Sequence, residues 1–92
     1  MLKTRVSKQA SGFLTSIPAK HARQIVDRLE ALAANSAQTP HEELRGHAPY
    51  RRMRAGEYRV IFEIEADTLL FHLIGRRKDD EIYRMLERRL RR

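Results

Sequence analysis

Three short strand-like runs in the second half of the chain, joined by two-residue turns, restrict the fold more than any other pattern. The runs are YRRMRA (50–55), YRVIFEIE (58–65) and TLLFHLI (68–74), and the turns are Gly56–Glu57 and Ala66–Asp67. Two-residue connections join antiparallel neighbours, so the runs predict an antiparallel meander. The third run is apolar almost throughout, which is typical of a strand covered on both faces and indicates a central position.

Side-chain alternation assigns the residues of these runs to the two faces of the sheet. Met53 points one way, and its neighbours Arg52 and Arg54 point the other way. In the next run Val60, Phe62 and Ile64 are expected to point inward, and Arg59, Ile61 and Glu63 outward. Three arginines can therefore share the sheet face that the helices of the first half leave open.

The first half of the sequence predicts a strand followed by a pair of helices. The run LKTRV (2–6) alternates apolar and basic residues, and Ser7 is a suitable N-cap for a short helix after it. Pro18 ends that helix and suits the first turn of the next one. The second helix, 19–34, is predicted from apolar residues at three- and four-residue spacing: Ala22, Ile25, Val26, Leu29, Leu32 and Ala33.

The remaining segments predict a connection and a last helix. Residues 35–49 contain two prolines, a glycine and no sustained period, so we expect a loop there. Gly75 is expected to end the third strand, and Asp79 and Asp80 lie where a helix N-terminus favours negative charge. The order β-α-α-β-β-β-α predicts an α+β fold: a small, mainly antiparallel sheet with a helix hairpin on one face and a C-terminal helix, in a single domain of residues 1–92.

Charge and composition limit the classes of function. The 92 residues carry a formal net charge of +7, which is typical of a chain that binds a polyanion or an acidic protein. The chain has no cysteine, which excludes disulfides and thiolate metal sites. Its longest apolar run is far shorter than the roughly 20 residues of a membrane span, so we expect a cytoplasmic protein without a membrane partner.

Three segments on this frame carry a family resemblance: LRG (44–46), RMRAGEYRVIF (52–62) and IGRRKDDEIYR (74–84). With the predicted element order, they resemble the RelE/ParE superfamily of bacterial toxin–antitoxin toxins. Toxins of the RelE branch are ribosome-dependent endoribonucleases that cut messenger RNA in the decoding site, whereas ParE-branch toxins act on DNA gyrase. The resemblance implies an acidic antitoxin as partner, the ribosome and its messenger RNA as targets, and operator DNA bound only through the antitoxin.

The resemblance also implies the site residues, and it favours the RelE branch because every role is filled. The implied catalytic residues are Arg52, Arg59, Arg77 and Tyr83. The implied RNA-binding residues are Arg45, Arg51, Arg54, Arg76 and Lys78. The sequence departs from the family pattern twice, because Arg52 stands where a lysine base is common and Arg76 where a histidine or lysine is common.

Arginine and tyrosine suit RNA cleavage because RNA supplies its own nucleophile. When a 2′-hydroxyl attacks the adjacent phosphorus, the protein contributes position and positive charge and needs no metal or other cofactor. Arg59 and Arg77 would clamp the scissile phosphate, and Tyr83 would stack on a base or contact the 2′-hydroxyl. Arg52 would act by charge alone, because arginine stays protonated. Two alternatives stay open: a gyrase-binding toxin without nuclease activity, and an inactive basic binding module.

Overall fold

The structure, a computed structural model, describes residues 1–78 and 80–91 and forms five strands and three helices in that part of the chain. In chain order they are β1 (Lys3–Val6), α1 (Lys8–Ser16), α2 (Ala19–Ala34), β2 (Glu42–Glu43), β3 (Arg51–Ala55), β4 (Tyr58–Glu65), β5 (Thr68–Arg76) and α3 (Glu81–Leu90). The predicted α+β order is confirmed, with β2 as an added two-residue strand inside the segment expected to be a loop. The predicted acidic position at Asp79 lies outside the described residues.

The strands form one sheet in the order β1-β5-β4-β3-β2. β1 runs parallel to β5, and every other neighbouring pair is antiparallel. The meander of β3, β4 and β5 is thus as predicted, and β5 lies inside the sheet between β1 and β4. No helix in the described ranges, 1–78 and 80–91, is both long enough and apolar enough to cross a bilayer.

The hairpin of α1 and α2 covers one face of the sheet. Ser7 caps α1 through its hydroxyl, which accepts a hydrogen bond from the Ala10 amide at 3.1 Å. The apolar stripe of α2 buries Ile25 and Leu32 completely. They pack in one core with the sheet residues Met53, Val60, Phe62, Leu69, Phe71 and Ile74.

The other face carries a second, smaller core under α3. Ile82 and Leu86 of this helix pack on Ile61, Leu73 and Leu44, and Ile61 is fully buried. Alternation placed Ile61 on the correct face, but only the tertiary structure shows that α3 covers this part of it.

A β-bulge in β5 changes which residues face each core. Ile61 pairs with Leu73 and Phe62 pairs with Phe71, so His72 is an extra residue without a partner in β4. Phe71 consequently points into the core under the hairpin and Leu73 into the core under α3. The His72 ring is held on both sides, with Nε2 2.8 Å from a Glu63 carboxylate oxygen and Nδ1 3.1 Å from an Arg89 nitrogen.

Gly75 does not end the third strand of the meander, contrary to the prediction. β5 continues to Arg76, and Gly75 pairs with Arg59 of β4. A Cβ atom at Gly75 would lie 3.0 Å from the Cβ of Ile82. The glycine therefore allows α3 to approach the sheet closely, and through α3 it positions Tyr83.

Candidate functional site

Three arginines lie on the sheet face that carries α3, beside the smaller core. Arg52 and Arg54 project from β3 on the side opposite Met53, and Arg59 projects from β4 on the side of Ile61. Arg54 and Arg59 are directly opposite each other in the β3–β4 register. Like charges in this arrangement repel each other and destabilise the fold. A bound anion would reduce this repulsion.

Arg52 is the best-connected member of this group. Its Nη1 donates a hydrogen bond to the Tyr83 hydroxyl at 2.8 Å, and its Nε donates to Oε1 of Glu42 at 3.0 Å. Nη2 donates to the same Glu42 oxygen. The hydrogen bond to Glu42, followed by the one to Tyr83, raises the pKa of Arg52 above its ordinary value. The guanidinium is thus held in place by two elements, β2 and α3.

Glu42 is a site residue that the sequence analysis missed. It lies on β2 directly opposite Arg52, and the hydrogen bond and charge of Arg52 lower the pKa of its carboxyl. Residues 35–49 were expected to be a loop, because a two-residue strand is too short to show alternation. The sole signal in the sequence is an adjacent pair of glutamates, Glu42 and Glu43, shortly before a strongly basic strand.

Arg59 lies at the turn-side end of the same face. Its Nη1 donates to the main-chain oxygen of Tyr58 at 2.9 Å. Burial is the largest cause that lowers the pKa of Arg59, followed by the charges of Arg54 and Arg77. Arg52 lowers it further, while Tyr83 acts in the opposite direction. These effects place Arg52, Arg77 and Tyr83 within electrostatic reach of Arg59.

Arg77 reaches this end of the sheet from the segment after β5. Its amide donates to the main-chain oxygen of Glu57 at 2.7 Å, and its Nε lies 3.6 Å from a Glu57 carboxylate oxygen. Glu57 belongs to the β3–β4 turn, so Arg77 is fastened to the turn that precedes Arg59. About half of the Arg77 side chain, 54%, is exposed and can contact a ligand.

The predicted RNA-binding arginines are divided between the two faces. Arg54 lies with the site, whereas Arg51 and Arg76 belong to the hairpin side. Arg51 donates through Nε to the His41 ring at 2.7 Å, and the Cζ of Arg76 lies 5.7 Å from the centre of the Phe13 ring. The structure therefore places both of these cations away from Arg52.

Arg45 and Lys78, the other two predicted RNA-binding residues, are exposed. Arg45 follows β2, and Lys78 lines a small depression with Arg76, Glu57 and Tyr58. As exposed cations they can attract a polyanion toward the sheet face that carries Arg52, Arg54 and Arg59, here called the arginine face.

The arrangement provides fixed positive charge, one phenol and one carboxylate on an exposed surface. Arginine guanidinium groups bind phosphate oxygens in pairs, which suits a phosphodiester as ligand. Within the described ranges no group of three histidine, aspartate or glutamate side chains is placed to hold a metal ion. The chemistry available to these residues is charge stabilisation with proton transfer.

Comparison with known proteins gives a family match and several similar structures. Residues 4–81 match a family model described as ParE toxin of type II toxin-antitoxin system, parDE. No curated protein sequence matches the chain.

The similar solved structures share the fold at low sequence identity. The archaeal RelE–RelB complex from Pyrococcus horikoshii OT3 is 21% identical with a TM-score of 0.72, covering 84% of this chain and 96% of that one. The toxin–antitoxin complex RelBE2 from Mycobacterium tuberculosis is 19% identical with a TM-score of 0.71, covering 83% and 98%. The isolated Escherichia coli RelE toxin is 13% identical with a TM-score of 0.72, covering 98% and 99%.

Proposed function

The chain belongs to the family of ParE toxins of type II toxin–antitoxin systems. From the chemistry of its arginine, tyrosine and glutamate side chains we propose that this toxin is an endoribonuclease. It acts as a RelE-type toxin that cleaves messenger RNA at the ribosome. The 2′-hydroxyl attacks the adjacent phosphorus, the bond from phosphorus to the 5′-oxygen of the next nucleotide breaks, and that oxygen takes a proton from water. The observation that carries the proposal is the Arg52 side chain, which is bonded to Tyr83 on one side and to Glu42 on the other. A carboxylate, a guanidinium and a phenol thus meet at one partly exposed point.

The arginine side chains stabilise negative charge on the phosphate. Negative charge grows on the nonbridging oxygens as the 2′-oxygen attacks, and preorganised donors lower the energy of that transition state. Arg59 and Arg77 converge on the turn-side end of the face and bind these oxygens. Tyr83, fixed by its bond to Arg52, contacts the ribose or stacks on the base, which is worth roughly 1–3 kcal/mol for an aromatic ring.

Glu42 is the proposed acceptor of the 2′-hydroxyl proton. Arg52 cannot take this role because it stays protonated at physiological pH. The pKa of Glu42 is lowered by Arg52, so its carboxylate is ionised at neutral pH and its second oxygen, Oε2, is available. A low pKa makes Glu42 a weak base, so its contribution depends on its position beside the ribose more than on basicity.

Ribosomes programmed with a defined messenger RNA test the proposal, with cleavage mapped by primer extension. Wild type is expected to cut within the decoding-site codon, and the double variant Arg77→Ala, Tyr83→Ala to cut at least about 100-fold more slowly, as for the loss of a transition-state donor. Arg5→Ala, which removes one exposed charge from β1, is the matched control and is expected to cut like wild type. Equal cleavage by the double variant and the control would refute the proposal.

The implied partner is an acidic antitoxin. The similar structures from Pyrococcus horikoshii and Mycobacterium tuberculosis are both toxin–antitoxin complexes, and the net charge of +7 favours a negatively charged partner. An antitoxin that covers the arginine face would block RNA access and would carry any contact with operator DNA. The toxin itself would act in the cytoplasm, where ribosomes are found.

A gyrase-directed toxin is the second candidate. The matching family model is described as a ParE toxin, and Arg52 occupies the position where RelE-type toxins commonly have a lysine. Under this alternative the purified protein inhibits DNA supercoiling by gyrase and leaves messenger RNA intact. Supercoiling and ribosome assays on the same preparation separate the two candidates.

A further inference from the structure

A cleft of about 410 Å³ opens at the edge of the sheet next to Arg52. It is lined by Arg28, Pro40, His41, Glu42, Arg52 and Arg54. β2 pairs with β3 only at Arg51 and Arg52, so among the described residues the edge of β3 that faces away from β4 is unpaired from residue 53 onward. Two arginines line the cleft at this free edge: Arg28 from the hairpin side, and Arg54 from the opposite face of the sheet.

Arg28, which lines this cleft, carries a buried donor without a partner among the described residues. Its Nε is buried and has no hydrogen-bond partner in the part of the chain that the structure describes. A buried N–H group without an acceptor costs about 1–3 kcal/mol, and more when it is charged. An anionic ligand in the cleft would offset this cost by placing negative charge next to the Arg28 guanidinium.

The opposite wall of the cleft is rigid and largely apolar. The His41 ring accepts a hydrogen bond from Arg51 at Nδ1, so its proton lies on Nε2, which donates to the Ser36 main-chain oxygen at 3.0 Å. The ring also packs edge-on against Phe62, with 5.4 Å between ring centres. Both nitrogens of His41 are therefore hydrogen-bonded within the protein. The ring, next to Pro40, can offer a ligand in the cleft only a packing surface.

We propose that this cleft binds the phosphate next to the scissile one on the same RNA strand, with Arg28 and Arg54 as its ligands. The ribose attached to this phosphate packs against Pro40 and His41. Arg52 lines both the cleft and the catalytic face, so a strand that crosses Arg52 runs from one site directly into the other. The inference rests on the proposed function for its substrate and adds a second recognition site to it.

Charge favours an anion over a cationic or neutral ligand. Three arginines line the cleft with one glutamate, and Arg52 already neutralises that glutamate. An acidic peptide could also bind these cations. RNA fits both walls, because its phosphate matches the cationic wall and its ribose matches the apolar wall. RNA and an acidic peptide are therefore distinguished by experiment.

The direct probe is the Arg28 Nε–H signal in a ¹⁵N-labelled sample of the full chain. The ligand is a single-stranded RNA trinucleotide with 2′-deoxyribose at every position where cleavage could occur. We expect a saturable shift of the Arg28 signal with this RNA, and a smaller shift at the same concentration of inorganic phosphate or of a glutamate-rich peptide. An Arg28 signal that moves only with the peptide, or equally with free phosphate, overturns the proposal.

A matched pair of variants gives the second measurement. Arg28→Gln and Arg23→Gln each remove one charge from α2, but Arg23 is exposed and does not line the cleft. Loss of one phosphate contact reduces the slope of log affinity against log salt by about 0.7 for single-stranded RNA. We expect this reduction for Arg28→Gln alone, with both variants folded by circular dichroism; identical slopes overturn the proposal.

The nuclease proposal and the cleft proposal can be refuted independently of each other. If the ribosome assay shows no cleavage but Arg28 still responds to RNA and its variant loses one phosphate contact, the cleft is supported and the nuclease reaction is refuted. If cleavage occurs and Arg28→Gln cuts and binds RNA like Arg23→Gln, the nuclease proposal stands and the cleft is refuted.

Discussion

The Tyr83 hydroxyl of α3 accepts a hydrogen bond of 2.8 Å from Nη1 of Arg52 on β3, a link between the last helix and the sheet across 31 residues of chain. The Tyr83 ring meanwhile packs against the small core of Leu44, Ile61, Leu73, Ile82 and Leu86. One side chain thus has a packing role and a polar role. The two roles can be separated by substitution.

Tyr83→Phe is expected to cleave messenger RNA on the ribosome about tenfold more slowly than wild type. The substitution keeps the ring in its core and removes a hydrogen bond to a charged group, worth about 1.5 kcal/mol or more. Single-turnover cleavage rates measure the effect, and thermal unfolding confirms that the fold is unchanged. A Tyr83→Phe protein that cuts at the wild-type rate would show that the hydroxyl has no part in the reaction.

Glu42→Gln is expected to lower the cleavage rate by about 100-fold while leaving stability nearly unchanged. The neutral amide cannot accept the 2′-hydroxyl proton, and general-base catalysis is typically worth at least that factor. Glu43→Gln is the control, because the neighbouring carboxylate belongs to the Arg51 ion pair instead, at 3.8 Å. If both variants lost activity equally, the effect would come from the local charge of β2 and not from proton transfer.

The carboxyl of Glu42 is expected to titrate below the ordinary value of a glutamate, about 4.3. Because Arg52 depresses its folded-state pKa, the ion pair contributes its stability above that ordinary value and loses it as the pH falls through the lower folded-state pKa. Carbon-13 NMR of the Glu42 carboxyl measures the midpoint directly. In Arg52→Gln the midpoint should move up, and an unchanged midpoint would mean that another group sets it.

Gly75→Ala is expected to destabilise the protein by about 1–3 kcal/mol, the usual cost of forcing an extra group into a packed site. The added methyl group would lie 3.0 Å from the Cβ of Ile82, so α3 would have to shift slightly away from the sheet. Gly12→Ala is the control because nothing lies within 4 Å of its added Cβ on α1, and it should be neutral or stabilising. Urea unfolding of both variants measures the difference, and equal effects would show that α3 does not depend on the glycine.

The sequence by itself determined the meander, the helix of residues 19–34 and the sharing of one face by Arg52, Arg54 and Arg59. These features follow from local rules: two-residue turns, helical spacing and alternation act over a few residues and are visible in the letters. The family resemblance added Arg77 and Tyr83, which no local pattern connects to the strands.

Only the tertiary structure decided the features that depend on contacts between distant segments. α3 buries Ile61, which alternation had assigned to the open face, and Gly75 allows close approach of a helix where a strand end was expected. The bulge at His72 divides β5 between two cores, and Glu42 becomes a site residue because a two-residue strand sets it opposite Arg52. Each of these features depends on contacts between segments that are far apart in the sequence. Such contacts leave no periodic signal in a single sequence.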